Sequence, residues 1–287
     1  MKIAAWNVNG VRAIMKKPDF FGYLDGPDAP DLIGFQEIKV THDQLSDELL
    51  YPKNYYTYWN PAIKKGYAGT ALWTRVKPLN IWYHFEYADF DHEYHNTEGR
   101  STIAEFDSFL FCTAYFPNGG RNEDQFNFKF DFYKYLFAHL ADLSKKTGKP
   151  VIINGDFNIA HTELDIARPK ENEKSIGFTI AERKMLDWVT EDLGFIDTFR
   201  EFEKEGEHYT WWHYISNARA RNVGWRIDYT MIDPKLRKHL KSASILNNIF
   251  GSDHCPIEID IQLPEDSKLS EPIIHDKKSL ELPTLFG

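Results

Sequence analysis

Five short segments spread along the chain carry the polar groups that metal-assisted hydrolysis of a phosphodiester requires. They read Trp6-Asn7-Val8-Asn9-Gly10, Gln36-Glu37-Ile38-Lys39, Gly155-Asp156-Phe157-Asn158, Arg226-Ile227-Asp228-Tyr229 and Ser252-Asp253-His254-Cys255-Pro256. Such chemistry needs an electrophilic metal, an aligned water, and groups that neutralise charge growing on phosphorus oxygens. Hard oxygen ligands suit Mg²⁺, which takes one or two carboxylates and keeps several waters. Glu37, at the end of an apolar run, fits that role, helped by Asn9 or Asp253. Asp156 and Asn158 stand two residues apart, so past a strand end both can face one cavity while Phe157 turns into the core. A carboxylate there orients or deprotonates water, and an amide fixes that water or a phosphate oxygen. His254 is the natural imidazole. Protonated, it holds a phosphoryl oxygen by a charge-assisted bond, with Asp228 to orient it and raise its pKa. Each segment alone has a plainer reading: Glu37 as a surface acid, Asp156 to Asn158 as an Asx turn, His254 as one of eleven mostly structural histidines. The weight comes from all five together.

Strand ends are what must bring these groups into one place. Ile3 to Val8, Leu32 to Phe35, Tyr55 to Trp59, Thr70 to Trp73, Ile81 to Phe85, Ser101 to Phe106 and Phe109 to Tyr115 read as strands, many separated by turn residues. Phe126, Phe130, Tyr133, Phe137 and Leu140 recur at three- and four-residue steps and predict a long helix over Asn122 to Lys145, stopped by Gly148 and Pro150. A second half follows: strand Val151 to Ile153, a helix around Thr179 to Leu193 opened by a capping box, then strands Arg226 to Ile232, Ser242 to Leu246 and Ile257 to Ile261. The blocks lack strict βαβ alternation and show no tandem repeat. That predicts an α/β fold of two mixed sheets packed face to face, with helices outside.

Bulk properties bound the rest. The 287 residues, 42% apolar and 15% aromatic, supply a core for one large domain or two small ones. No apolar run reaches the length of a membrane span, and Ile3 to Trp6 is too short for a secretory signal. Two cysteines, Cys112 and Cys255, make no disulfide framework, so a reducing, cytoplasmic setting is expected. A net charge of −9 argues against simple electrostatic attraction to nucleic acid. Locally, however, Tyr209 to Lys241 holds Arg219, Arg221, Arg226, Lys235, Arg237, Lys238 and Lys241 against Asp228 and Asp233, interleaved with Tyr209, Trp211, Trp212, Tyr214, Trp225 and Tyr229. Basic groups neutralise phosphates and aromatic faces stack on bases. A half-buried aromatic hairpin with a solvated basic face is the alternative. Residues 264 to 287 read as a tail after a single domain over 1 to 263.

The whole constellation resembles the exonuclease III / AP endonuclease family, within the endonuclease/exonuclease/phosphatase superfamily. The resemblance runs from residue 2 to about 262. It is carried by Trp6 to Ala13, Gln36 to Lys39, Tyr115-Phe116-Pro117-Asn118, Gly155 to His161 and Asn222 to Tyr229. It implies a four-layer αββα sandwich of the DNase I-like kind. It also implies a Mg²⁺-dependent nuclease that cuts duplex DNA 5′ to abasic sites and trims 3′ ends, with Mn²⁺ able to substitute. Glu37 then resembles the principal metal ligand, with Asn9 and Asp253 nearby and Asn7 contacting the metal environment and Asp156. Some relatives have Asp where this chain has Asn9. Asp156 and Asn158 resemble the water-aligning pair, Tyr115 the phenol at the scissile phosphate or leaving group, and His254 with Asp228 the phosphate-holding imidazole. For DNA the resemblance implicates Tyr67 in Gly66 to Gly69, Asn118, a lesion-inserted Arg121, and Trp211 and Trp225 as walls of a pocket for a base-less sugar. Ile215 resembles a minor-groove wedge, and Asn217, Arg219, Arg221 and Asn222 complete the set.

Two other functions compete. A phosphoinositide phosphatase or sphingomyelinase of the same superfamily would share Glu37, Asp156, Asn158 and His254, but need not share Asn222 to Arg226 or the double tryptophan. A catalytically silent nucleic-acid or clamp-binding module should have lost ligands, and here every position is filled. In the tail, Leu282-Pro283-Thr284-Leu285-Phe286 loosely resembles a peptide that docks on bacterial sliding clamps; packing on the parent domain is its plainer role. A monomer in the cytoplasm, at the nucleoid, is expected.

Overall fold

Twelve strands form in the computed structural model, which describes residues 1–85, 97–120, 122–269, 273 and 275. One six-stranded sheet has the order β11 (Leu240–Ile245), β12 (Ile257–Ile261), β1 (Lys2–Asn7), β2 (Leu32–Gln36), β4 (Thr70–Thr74), β3 (Tyr56–Asn60). The other runs β5 (Asn80–Trp82), β6 (Ser101–Glu105), β7 (Leu110–Tyr115), β8 (Val151–Asp156), β10 (Asp228–Ile232), β9 (Ile196–Asp197). Only β1–β2 and β7–β8 pair in parallel among the described ladders, so both sheets are mixed, as expected. The long helix spans Glu123–Thr147; the Asn122 side chain accepts from the Gln125 amide, and Gly148 ends it in the left-handed region.

Several boundaries differ from the sequence reading, each for a local reason. Arg226 and Ile227 leave the ladder because their backbone is used elsewhere: Arg226 N donates to Asp165 O at 2.7 Å, and Ile227 O accepts from Phe157 N at 2.9 Å. The helix expected over Thr179 to Leu193 is Ile180–Asp187, widening to a looser turn over Trp188–Asp192. Pro18–Leu24 is a helix too short to show periodicity, with Pro18 in its first turn and Phe20, Tyr23 and Leu24 buried. Residues 264 to 269 do not behave as tail. Pro264–Lys268 forms a helical turn in which buried Glu265 accepts from Ser108 N and Oγ. The peptide Leu282 to Phe286 lies outside the described residues.

Strand alternation sorts side chains into three cores. Trp6, Ile33, Phe35 and Trp73 point outward from the first sheet onto Phe20, Tyr23 and Leu24. Cys112, Ala114, Val151 and Ile153 point outward from the second onto Phe132, Tyr133, Leu136 and Leu140 of the long helix. Ile3, Leu32, Leu72, Phe111, Ile152 and Ile232 fill the space between the sheets. The same inward rows turn polar at the other end of those strands. After Ile3 and Ala5 comes Asn7; after Leu32 and Gly34, Gln36; after Phe111 and Thr113, Tyr115; after Ile152 and Asn154, Asp156; before Thr230 and Ile232, Asp228. The sheets touch closely here. A Cβ on Gly34 would lie 2.1 Å from Thr113 Oγ1, so only glycine admits this approach. Gln36 Nε2 donates to Thr113 Oγ1 at 2.7 Å, and Asn154 Nδ2 donates to Ala4 O at 2.8 Å across the gap.

Arg226 is not a surface cation. Its guanidinium is buried, donates to Asp165 Oδ1 and Asp197 Oδ2 at 2.7 Å each, and lies over the Tyr229 ring. Arg200 binds the same Asp165 oxygen. Burial alone would raise the Asp165 carboxyl, but the two arginines outweigh it and hold it well below the usual carboxylate range. A depressed folded value means stability that is complete above the unfolded pKa and lost as pH falls through the folded one. Asp165→Asn should therefore destabilise the protein at neutral pH by about 3–5 kcal/mol, the cost of leaving a buried charge without its partner. Urea unfolding should show that gap shrinking as pH drops below the ordinary aspartate value of 3.8. A gap that stays constant down to acid pH would disprove the assignment.

Candidate active site

The polar ends of β1, β2, β7, β8 and β10, with the turns entering β10 and β12, meet at one edge of the sandwich. Asn7 sits at the centre. Its Nδ2 donates to Glu37 Oε1 and to Asp156 Oδ2, each at 2.9 Å. Glu37 adopts a left-handed backbone just past β2, as does Lys39, so the intervening Ile38 turns into the core. Asp156 faces His254, with Nε2 at 3.9 Å from Oδ2, and His254 Nδ1 lies 2.8 Å from Asp228 Oδ2. Asp228 and Asp156 are register partners on β10 and β8, which explains why one imidazole reaches both. The Asx turn weighed as the plain alternative is present: Asp156 Oδ1 accepts from Asn158 N at 2.9 Å. The turn and the site coincide, since Asp156 still offers its second oxygen to the cavity.

Electrostatics follow from burial. Desolvation first, then repulsion from Asp228 and Glu37, push the Asp156 carboxyl up to about 8, against the pull of His254 and Asn7. Burial by itself lowers the pKa of His254, but Asp228, with Asp156 and Asp253 behind it, lifts the imidazole to about 10. His254 is thus an imidazolium at neutral pH, a donor rather than a metal ligand. The Tyr115 phenol is held well above its usual value by burial and by Glu37, so it remains a proton donor.

Glu37, Asp156 and His254 each offer a ligand atom, all within 4.8 Å of one another. The donor chemistry fits a hard divalent cation at the two carboxylates. A positive group already favours this place: Lys39 Nζ lies 2.7 Å from Glu37 Oε2 and also binds Asn9 Oδ1. The residues expected around the cation are joined to one another by hydrogen bonds. Asn7 turns its donor nitrogen to the carboxylates and its oxygen to the Asn9 amide, so it is a spacer between them. Asn9 Nδ2 donates to Asp253 Oδ1 at 2.9 Å, and Asp253 Oδ2 accepts from Trp211 Nε1 at 3.1 Å. Both Asp253 oxygens thereby position neighbours. Asp156, read as a water-aligning group, also brings a possible ligand atom within 4.8 Å of one on Glu37.

The remaining residues form a rim. Asn158 Nδ2 donates to Phe116 O, and its Oδ1 accepts from Asn118 Nδ2 at 3.1 Å. Trp211 lies between Trp225 and His254 in short bridges, its ring perpendicular to Trp225 at 6.1 Å. Phe178, Ile166 and Ala160 back this wall. Ile215 is 64% exposed, and Asn217, Arg221 and Asn222 are exposed around it. Asn222 is not free, since its side chain holds Glu207 O and Trp212 Nε1. Arg219 corrects the reading of a free cation: its guanidinium donates to Ser252 O, Asn247 O and Ile249 O and lies over Trp212 and Phe250. Nor is Tyr209 to Lys241 one patch. Arg226 is buried, and Lys235, Arg237, Lys238 and Lys241 follow β10 to the end of the sheet opposite Asp228. Arg121 lies outside the described residues.

Sequence reasoning missed Arg100. It is buried, donates to Tyr67 Oη at 2.9 Å and Tyr115 O at 3.1 Å, pairs with Glu98, and lies over the Tyr115 ring at 4.9 Å. Tyr67 and Tyr115 thus share one cation. Nothing in the local sequence announces it, because the two tyrosines are distant along the chain.

Comparison with known proteins agrees with this geometry. A family model described as the Endonuclease/Exonuclease/phosphatase family matches residues 4–254. The chain is 40% identical over 264 residues to a protein of Bacillus subtilis (strain 168) named exodeoxyribonuclease, covering 92% of this chain and 100% of that one. It is 36% identical over 268 residues to a DNA-(apurinic or apyrimidinic site) endonuclease of Dictyostelium discoideum, covering 92% and 71%. A solved 3′-5′ exonuclease from Neisseria Meningitidis superposes with a TM-score of 0.81 at 25% identity, covering 92% of this chain and 100% of that one.

Two measurements probe the site without substrate. Glu37→Gln should weaken Mn²⁺ binding about tenfold or more in calorimetry, since even groups behind a ligand matter that much. Unchanged binding would remove Glu37 from the cation site. In NMR, His254 should not titrate near its ordinary value of 6.5, whereas Asp228→Asn should bring its titration back toward that range. A native His254 titrating near 6.5 would contradict the ion pair.

Proposed function

The chain belongs to the endonuclease/exonuclease/phosphatase family, and we propose that it is a DNA repair nuclease. In this reading it hydrolyses the phosphodiester 5′ to abasic sites in duplex DNA, trims 3′ ends, and acts as a cytoplasmic monomer using Mg²⁺, with Mn²⁺ accepting the same oxygen ligands. The observation that carries the reading is the junction of Glu37, Asp156 and the Asp228–His254 pair beneath the Trp211–Trp225 wall. Among the described residues no helix is long and apolar enough to cross a membrane.

Each residue has a task set by its position. Glu37, Asp228 and Asp253 face two cations, Lys39 and His254, so a phosphodiester meets excess negative charge unless a divalent cation intervenes. Held at Glu37, with Asn7, Asn9 and Asp253 nearby, Mg²⁺ would supply charge neutralisation at the phosphate. His254 donates from Nε2 to a non-bridging oxygen, held in that orientation by Asp228. Asp156 and Asn158 align the attacking water, and Asp156 in its ionised form can take the water's proton. The new O–P bond forms as the bond to the 3′ oxygen breaks, and that oxygen takes up a proton as it leaves. Tyr115, protonated, donates at the phosphate or the leaving group. Trp211 and Trp225 offer apolar faces to a sugar without its base, a pocket that would select an abasic nucleotide by excluding an intact base. Tyr67, Asn118, Asn217, Arg219, Arg221 and Asn222 would contact the DNA, Arg121 would insert at the lesion, and Ile215 would act as an apolar wedge.

The phosphoinositide phosphatase and sphingomyelinase readings share the catalytic groups but give the paired tryptophans no task. A silent module is opposed by a complete set of catalytic positions. The reading extends to the tail, where Leu282 to Phe286 would dock on a sliding clamp. Equal capture by a cognate clamp of the full chain and of one lacking residues 281 to 287 would end that part.

Cleavage of two labelled duplexes tests the rest, one with a single internal abasic analogue and one intact with recessed 3′ ends. A single cut at the lesion is expected, lost with chelator and reduced by orders of magnitude in Asp156→Asn and His254→Ala while DNA binding survives. Shortening from 3′ ends with little lesion cutting would make the chain chiefly an exonuclease. Cleavage of neither duplex would overturn the DNA reading.

A further inference from the structure

Lys129 lies in the long helix among Phe126, Phe128, Phe130 and Phe132, and it is buried together with Glu182. An ammonium in such a place is tolerated only when every proton finds an acceptor. Its three acceptors are Glu182 Oε1 at 2.6 Å, Asn158 O at 2.8 Å and Asn118 O at 3.2 Å. Two of the three are therefore main-chain carbonyls of site residues. Glu182 Oε2 accepts from Gly177 N at 2.8 Å, Thr179 N at 3.1 Å and Thr179 Oγ1 at 2.7 Å. Gly177 in turn lies flat against the Trp225 ring, where a Cβ would come to 3.0 Å, and its carbonyl accepts from Ala160 N. One buried pair thus ties together the backbones that present Asn118, Asn158 and Trp225.

Asn158 also adopts a left-handed backbone, with φ of 54°. A non-glycine residue keeps that conformation only where its surroundings over-determine it. The Lys129 bond to its carbonyl, the Asp156 bond to its amide and the Phe116 bond to its side chain do so. An ion pair of this kind adds little net stability over an apolar pair of similar volume. Its directional bonds do what an apolar pair cannot: they fix where two loops sit.

We propose that Lys129 and Glu182 form the positioning unit of the active site, setting Asn118 and Asn158 from behind. The inference rests on the hydrolytic reading of the site. Neither residue touches the substrate, so loss of the unit acts through the loops that carry Asn118 and Asn158 and slows the chemical step.

The variant to make is Lys129→Met with Glu182→Gln. Glutamine keeps the acceptor for Gly177 and Thr179, and no unpaired charge remains buried. Four quantities are read on the full chain: melting temperature, the single-turnover cleavage rate, affinity for an abasic duplex, and amide hydrogen exchange over residues 116–120 and 157–160. The expected result is a cleavage rate lower by about tenfold to a hundredfold, as small misplacements of reacting groups produce. The rate falls by more than the duplex affinity does, the melting temperature stays close to the parent, and exchange rises in those two loops only. A rate within twofold of the parent, or a rise in exchange spread evenly over the domain, overturns the proposal. If the parent cleaves neither duplex, the DNA reading fails by itself, and the exchange pattern alone decides the positioning role.

Discussion

Keeping Glu37, Asp156 and Asp228 together at a buried edge is the constraint on which the rest depends. Three like charges removed from water repel one another and lose hydration, so each must be held by a donor or a cation. Asn7 does this for Glu37 and Asp156 with a single nitrogen, and His254 does it for Asp156 and Asp228 with its two ring nitrogens. The strands can bring these groups so close only because the sheets nearly touch at Gly34. The inter-sheet layer is hydrophobic along most of its length, and that burial anchors the polar end in one register.

Around this centre, buried ion pairs brace the loops that strand ends leave free. Arg226 joins the Asp165 turn to β9, Arg100 links Tyr67 to Tyr115, and Lys129 joins the long helix to two loops. Each combines one charge with aromatic faces or carbonyls, which gives direction where apolar packing gives only volume. Arg219 serves the same purpose beneath the exposed Tyr214 and Ile215, its guanidinium spent on three carbonyls of the Asn247 to Ser252 turn. The net charge of −9 then becomes intelligible. Several cations that look available in the sequence are internal, and the site's own balance is negative, so a bound divalent cation suits a phosphate-directed role.

Legibility followed the range of the interactions. Alternation with period two is a local property, and the expectation that Phe157 turns into the core between Asp156 and Asn158 rests on it; Phe157 lies there. The Thr179 capping box and the Asn122 and Gly148 helix ends were equally legible, since their partners lie within a few residues. The pairing of His254 with Asp228 could be anticipated from chemistry, because a buried imidazole beside carboxylates needs one. The division of labour among Asn7, Asn9, Asp253 and Asp156 could not, because it depends on which oxygen of each side chain faces which neighbour.

The sequence alone determined that two mixed sheets would pack face to face, that five strand-end segments would converge, and that their carboxylates, amides and imidazole suit hydrolysis at phosphorus. Those conclusions rest on side-chain periodicity and donor chemistry, which each segment carries within itself. Only the tertiary structure decided that Arg100, Lys129 and Arg226 are buried, that Arg219 is a brace, and that the basic run after Ile232 lies at the opposite end from Asp228. A residue's charge is written in its type, but its partner is set by which distant backbone passes beside it, and only the folded chain contains that distance.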